Sequence, residues 1–191
     1  MEKVRLGIIG IGGMGSAHAN NVVDGKVPNL VLTAVADIRP VRIDWAKKNL
    51  PSEVTIFEDG EELIISGLCD AVLIATPHYL HPSFSVYALE HGLHVISEKP
   101  AGVYTKQVRE MNEAYRHHKH LVFAMMYNQR TNPLYRKVRD MLRNGEYGEI
   151  RRCVWIITDW FRTQRYYDSG GWRATWAYEG GGVLLNQDPH Q

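Results

Sequence analysis

Apolar residues in this chain fall in short unbroken runs, separated by stretches with helical spacing. Val4–Ile9, Leu30–Ala36, Thr55–Phe57, Ala71–Ala75, His94–Ser97 and Leu121–Met126 read as strands. Between them, Met14–Val23, Val41–Asn49, Gly60–Ser66, Pro82–His91 and Lys106–His118 read as helices. A run such as Ala71-Val72-Leu73-Ile74-Ala75, apolar at every position, belongs to a strand buried on both faces, as in a parallel sheet between two helical layers. Regular alternation of strand and helix with right-handed crossovers predicts a doubly wound parallel α/β sheet, although the pattern does not reveal the strand order.

After Met126 the character changes. Polar Tyr127-Asn128-Gln129-Arg130 leads into a helix over Pro133–Arg143, stopped by Asn144-Gly145, and then into a β-branched strand over Ile150–Thr158. The expected organisation is one α/β domain over 1–126 and the beginning of a second over 127–191. From Arg162 to Gln191 the chain is rich in Trp, Tyr, Arg and Gly. Two readings stand for that tail: a surface for a sugar-like ligand, with rings against C–H faces and polar groups on hydroxyls, or the loop-rich edge of a core.

Composition narrows the classes without deciding among them. The 191 residues are 45% apolar and 23% charged with a net charge of +1, ordinary for a soluble globular protein and no footprint of a nucleic-acid or anionic-membrane partner. Cys69 and Cys153 are far apart and read as reduced, buried thiols of a cytoplasmic protein. No run is long enough for a transmembrane helix. Lys3, Arg5, an apolar run and Ala17-His18-Ala19 imitate a signal peptide, but the glycines interrupting the run fit a strand and loop better. His117-His118-x-His120 sits at a helix end and reads as solvated, and His78, His91 and His94 as surface or loop residues. No metal site is expected.

Chemistry enters at Gly10-x-Gly12-x-x-Gly15, which directly follows the first strand and opens the first helix. Gly10 lets the chain turn and Gly12 lets backbone approach a pyrophosphate. Gly15 lets the helix pack on the strand, while the helix N-terminus at Gly13 and Met14 offers N–H groups to the anion. Asp37 closes the second strand about twenty residues on, where a carboxylate accepts the adenosine ribose hydroxyls and repels a 2′-phosphate. NAD is therefore expected over NADP, with Arg39 able to stack on adenine or to pair with a 2′-phosphate. Ala75-Thr76-Pro77 and His81 follow the fourth strand, and Glu98-Lys99-Pro100 the fifth. Ligands of open α/β sheets bind at such carboxyl ends, so both groups are expected beside the cofactor, Lys99 facing it across a cis Pro100.

These motifs, with Gly180-Gly181-Gly182 and His190, resemble the Gfo/Idh/MocA family of glucose–fructose oxidoreductase and inositol dehydrogenase. The resemblance implies an NAD(P)-dependent oxidoreductase acting on sugars or cyclitols. It also implies a second domain of α+β type with an antiparallel sheet, and a homo-oligomer. Lys99 matches the family's catalytic lysine and His190 its catalytic histidine. Asn186 stands where the family usually has aspartate, and can hold a hydroxyl or orient His190 but cannot take a proton. Asp188 is offset from the Asn186 face, and Pro189 either breaks a helix there or follows Asp188 as its cap. Tyr127, Trp172 and Arg173 join Asn186, Lys99 and His190 as expected substrate contacts. Family members continue beyond Gln191, so the chain is expected to be truncated within its second domain and to bind cofactor weakly, aggregate and turn over little. Two alternatives remain open: an NAD-dependent glycoside hydrolase using transient oxidation, and a non-catalytic dinucleotide-binding protein.

Overall fold

The computed structural model describes residues 2–158 and 161–191, which divide into compact units at 1–126 and 127–191. Six strands, β1 (Val4–Ile9), β2 (Leu30–Ala36), β3 (Thr55–Phe57), β4 (Ala71–Ile74), β5 (His94–Ser97) and β6 (Phe123–Met125), form one parallel sheet in the order β3-β2-β1-β4-β5-β6. This is the doubly wound order that reverses between β1 and β4. The crossovers are α1 (Gly13–Val23), α2 (Pro40–Asn49), α3 (Gly60–Ile65), α4 (His81–Glu90) and α5 (Thr105–His117).

Alternation along each strand sends neighbours to opposite faces. Ile9, Ala36, Val72, Ile74 and Val95 pack with Leu63 of α3 and Leu89 of α4 on one side. Leu6, Ile8, Val35 and Leu73 pack with Ala19 of α1 and Ala46 of α2 on the other. Each fully buried Leu, Ile or Val contributes roughly 1.5–3 kcal/mol by leaving water, so these two layers dominate the first unit's stability. Local signals set the helix starts. Asp59 caps α3 by accepting from Glu61 N at 2.6 Å, and Pro40 opens α2.

Register decides where the chemistry falls. Ala36 pairs with Ile9, Ile9 with Ile74, and Ile74 with Ser97, so one row of residues crosses β2, β1, β4 and β5. The residue after each member of that row is Asp37, Gly10, Ala75 and Glu98. Four motifs scattered between positions 10 and 98 thus leave the sheet from a single edge.

The second unit holds α6 (Pro133–Arg143), α7 (Gln164–Asp168) and α8 (Val183–Asn186), with 3₁₀ turns at Asn128–Thr131 and Asp188–His190. Several local expectations are corrected. Ile150–Thr158 forms no strand, and no antiparallel sheet exists among the described residues: a strand needs a ladder partner, and none is present. Ile150, Val154 and Ile156 are correspondingly exposed. The sixth strand is shorter than expected, since Leu121 donates its N–H back to His118 in the turn closing α5. Asp188 does not cap the final turn; Gln187 occupies that position. His78 is buried rather than on the surface, and Cys153 is exposed rather than buried. Among the described residues no helix is long and apolar enough to cross a membrane, and no three His, Cys, Asp or Glu side chains gather as a metal site.

Candidate active site

The glycines of the first loop serve two different ends. Gly10 has φ +86, and a Cβ there would lie 2.8 Å from the Ala75 carbonyl oxygen. A Cβ on Gly15 would collide with the Gly10 carbonyl oxygen. The chain's own packing therefore demands both. Gly12 and Gly13 are different: a Cβ on either meets nothing within 4 Å. The missing side chains there keep open a space that the protein itself does not use. That space lies at the start of α1, whose N-cap Gly12 offers no capping side chain and whose first turn holds no acid. Its amides are uncapped and its dipole end is positive, the properties an anion needs. Met14 stands beside them, 53% exposed.

Asp37 is tied to this loop. Its Oδ2 accepts from Ile11 N at 3.0 Å, its Oδ1 accepts from Arg39 N at 3.0 Å, and Arg39 Nε lies 3.8 Å from Oδ1. A carboxylate has about four acceptor sites, so these bonds leave lone pairs for ribose hydroxyls. They also hold the loop to the end of β2 before any ligand arrives.

On the other side of β1, Ala75, Thr76 and Pro77 leave β4. Thr76 Oγ1 is buried with no hydrogen-bond partner, a group that asks for one. His81 is 1% exposed, with Nδ1 at 2.7 Å from the Pro100 carbonyl oxygen and Nε2 at 2.8 Å from that of Thr76. Its ring ties the loop after β4 to the turn after β5. Burial pushes the His81 imidazole below its usual value, and the two carbonyls, each seeking an N–H, only partly offset that. Lys99 is half-buried before a cis peptide bond to Pro100. Glu98 is 7% exposed; its Oε1 accepts from His18 Nε2 at 2.8 Å and its Oε2 from Lys99 N at 3.3 Å. Its carboxylate faces protein donors from α1 and from its own turn.

The second unit contains a cavity of about 530 Å³ lined by Phe161, Arg162, Tyr167, Trp176, Glu179 and Asn186, among others. Glu179 is 3% exposed and Asn186 5%. Asn186 Nδ2 donates to Glu179 Oε1, and Ala174 N donates to Glu179 Oε2 at 2.8 Å. Arg173 and Trp172 are not in the lining. The Arg173 guanidinium lies 4.2 Å from the Tyr166 ring and 4.6 Å from the Trp172 ring, and donates to Tyr166 Oη at 2.6 Å. His190 ends the 3₁₀ turn after α8 and is half-buried. Tyr127 opens the second unit, and burial pushes its phenol up.

Open glycines, an uncapped helix start, a partnerless buried hydroxyl and an acid at the end of β2 all fit a dinucleotide. Fold and loop together define a dinucleotide-binding Rossmann domain. Residues 4–126 match the oxidoreductase family with NAD-binding Rossmann fold (Gfo/Idh/MocA), and residues 135–191 match a C-terminal domain of that family. The chain belongs to the Gfo/Idh/MocA family of oxidoreductases. An inositol 2-dehydrogenase of Rubrobacter xylanophilus is 31% identical over 147 residues, 77% of this chain and 42% of its own length. Scyllo-inositol dehydrogenase of Lactobacillus casei with NAD(H) and scyllo-inositol superposes with a TM-score of 0.71 at 31% identity, over 78% of this chain and 43% of that one. The WlbA dehydrogenase of Bordetella pertussis, in complex with NADH and UDP-GlcNAcA, superposes with a TM-score of 0.83 at 25% identity, over 99% of this chain and 56% of that one. The chain spans about half the length of the curated relatives it matches.

Sequence reasoning missed His18, Glu179 and Tyr166. His18 had a weak signal, three residues after Gly15 and so on the helix face that packs toward the sheet. Glu179 directly precedes the glycine triplet, but nothing in the sequence names Asn186 as its partner.

Proposed function

We propose that this chain carries the nucleotide site and the hydroxyl-handling residues of an NAD-dependent dehydrogenase acting on a secondary alcohol of a sugar or cyclitol. The observation that supports this reading is the shared edge: Asp37, Gly10, Ala75 and Glu98 all follow one row across the sheet, and Lys99 is the residue after Glu98. Adenosine lies over the β2 side, held by Asp37, with Ile38 and Arg39 at its edge. The pyrophosphate lies on Gly12 and Gly13, and the second nucleotide half extends toward Thr76 and Lys99. Asp37 favours NAD, since its charge opposes a 2′-phosphate. The inositol dehydrogenases and WlbA named above support a polyhydroxylated substrate.

NAD, when bound, supplies the hydride acceptor. The chain's residues handle the rest. Lys99 hydrogen-bonds the reacting hydroxyl and stabilises negative charge as it develops on oxygen. His190, whose ordinary pKa is near neutrality, accepts the hydroxyl proton. Asn186 holds a neighbouring hydroxyl.

The reading is tested by titrating the chain with NADH and NADPH, and by assaying NADH formation over a panel of inositols, sugars and glycosides. Lys99→Ala and His190→Ala are expected to lower turnover at least a hundredfold. Turnover at the parental rate in both would overturn the site. Glycoside cleavage without net NADH would instead establish the hydrolase alternative.

A further inference from the structure

We infer that His18 is a positioning residue that couples the phosphate-binding helix to the Lys99 turn through Glu98, so that the second half of a dinucleotide binds more tightly when this link is made. The inference rests on the cofactor reading above and goes beyond it, since His18 itself touches no expected ligand atom.

Three observations carry it. First, His18 Nε2 donates to Glu98 Oε1 at 2.8 Å across a sequence separation of 80 residues, joining α1 to the end of β5. Second, the same carboxylate accepts from the backbone N–H of Lys99, so whatever holds Glu98 also holds the turn that carries Lys99. Third, Glu98 is 7% exposed. A buried carboxylate is stable only while donors surround it, and removing one drives it to rotate toward water. Loss of the His18 donor would therefore displace Glu98 and, with it, the Lys99 amide.

The adenosine side is secured independently. Asp37 is bonded to Ile11 N, and Gly10 is packed against Ala75. Neither contact involves His18. The link should thus matter for the half of the ligand over β4 and β5 and not for the half over β1 and β2. A residue serving only helix stability would affect both halves alike.

The test compares NADH with ADP-ribose, which lacks the nicotinamide, on the 191-residue chain by fluorescence quenching and calorimetry, with thermal melts on each variant. His18→Leu is expected to weaken NADH at least fivefold while ADP-ribose stays within twofold. His18→Gln, whose amide nitrogen reaches about as far as Nε2, is expected to restore NADH to within twofold. If His18→Leu does not fold, His18→Asn replaces it, with a donor too short to reach Glu98. Unchanged NADH affinity, or equal loss for both ligands, overturns the inference. Failure of the unaltered chain to bind either ligand overturns the cofactor reading itself, and the coupling with it.

Discussion

Glu179 and Asn186 form a buried pair in which the asparagine amide donates to the carboxylate, while the carboxylate's second oxygen takes the Ala174 N–H. A carboxylate only accepts, so the nitrogen of the Asn186 amide must face Glu179. The orientation of Asn186 is thereby set by a residue that sequence reading did not select. A negative charge sits directly behind the position where the family usually carries aspartate. Ala174 has φ 56, in the left-handed region, and its N–H bond to Glu179 helps hold it there.

Glu179→Gln cannot satisfy both neighbours. If its oxygen faces Asn186, its own NH₂ meets the Ala174 N–H. A loss of about 1–3 kcal/mol is expected, with an upfield shift of the Asn186 side-chain amide signals. Asn186→Asp should destabilise more, since it buries two carboxylates together. The double variant Glu179→Gln with Asn186→Asp should recover stability relative to Asn186→Asp alone. Denaturant melts and amide NMR read all three. Additive losses in the double variant would mean that the two side chains are not coupled.

Gly12 and Gly15 separate packing from binding. Gly15→Ala places a methyl group on the Gly10 carbonyl oxygen, with an expected cost of at least ~2 kcal/mol. Gly12→Ala meets no protein atom and should cost under ~1 kcal/mol, the usual price of alanine at an N-cap. Yet it should weaken NADH more than tenfold, because the methyl group fills the space kept open before α1. Melts paired with NADH titrations check both. Undiminished affinity in Gly12→Ala would show that the open space has no role in binding.

His81 makes the first unit acid-sensitive. Burial holds its folded pKa below the unfolded value of 6.5. The unfolded chain therefore binds a proton that the folded chain refuses, and stability falls as pH drops below about 6.5 toward the folded value. Above 6.5 the contribution is constant. Thermal melts from pH 8 to pH 5 should show this loss, and His81→Gln should flatten the slope over that window. An identical slope in the variant would assign the acid sensitivity to other groups.

Much of the first unit was legible because its signals are local. Unbroken apolar runs placed β1, β2, β3 and β5 with the bounds observed, and glycine spacing with a following acid placed the loop and Asp37. The second unit was harder. Ile150–Thr158 has strand composition, but a strand exists only as part of a ladder, and composition says nothing about whether a partner is at hand. Arg173 and Trp172 have the residue types of ligand contacts, but the stacking of the Arg173 guanidinium on the Tyr166 and Trp172 rings is not readable from those types.

From the order of residues alone came the elements, the class of sheet and the phosphate loop, because each is written in periodicity or in a short motif. The spatial order of the strands, the common row that gathers Asp37, Gly10, Ala75 and Glu98, and the pairs His18–Glu98 and Glu179–Asn186 emerged on folding. Those features depend on register and on side chains meeting across long stretches of chain. A hydrogen bond between positions 18 and 98 leaves no trace in the neighbours of either.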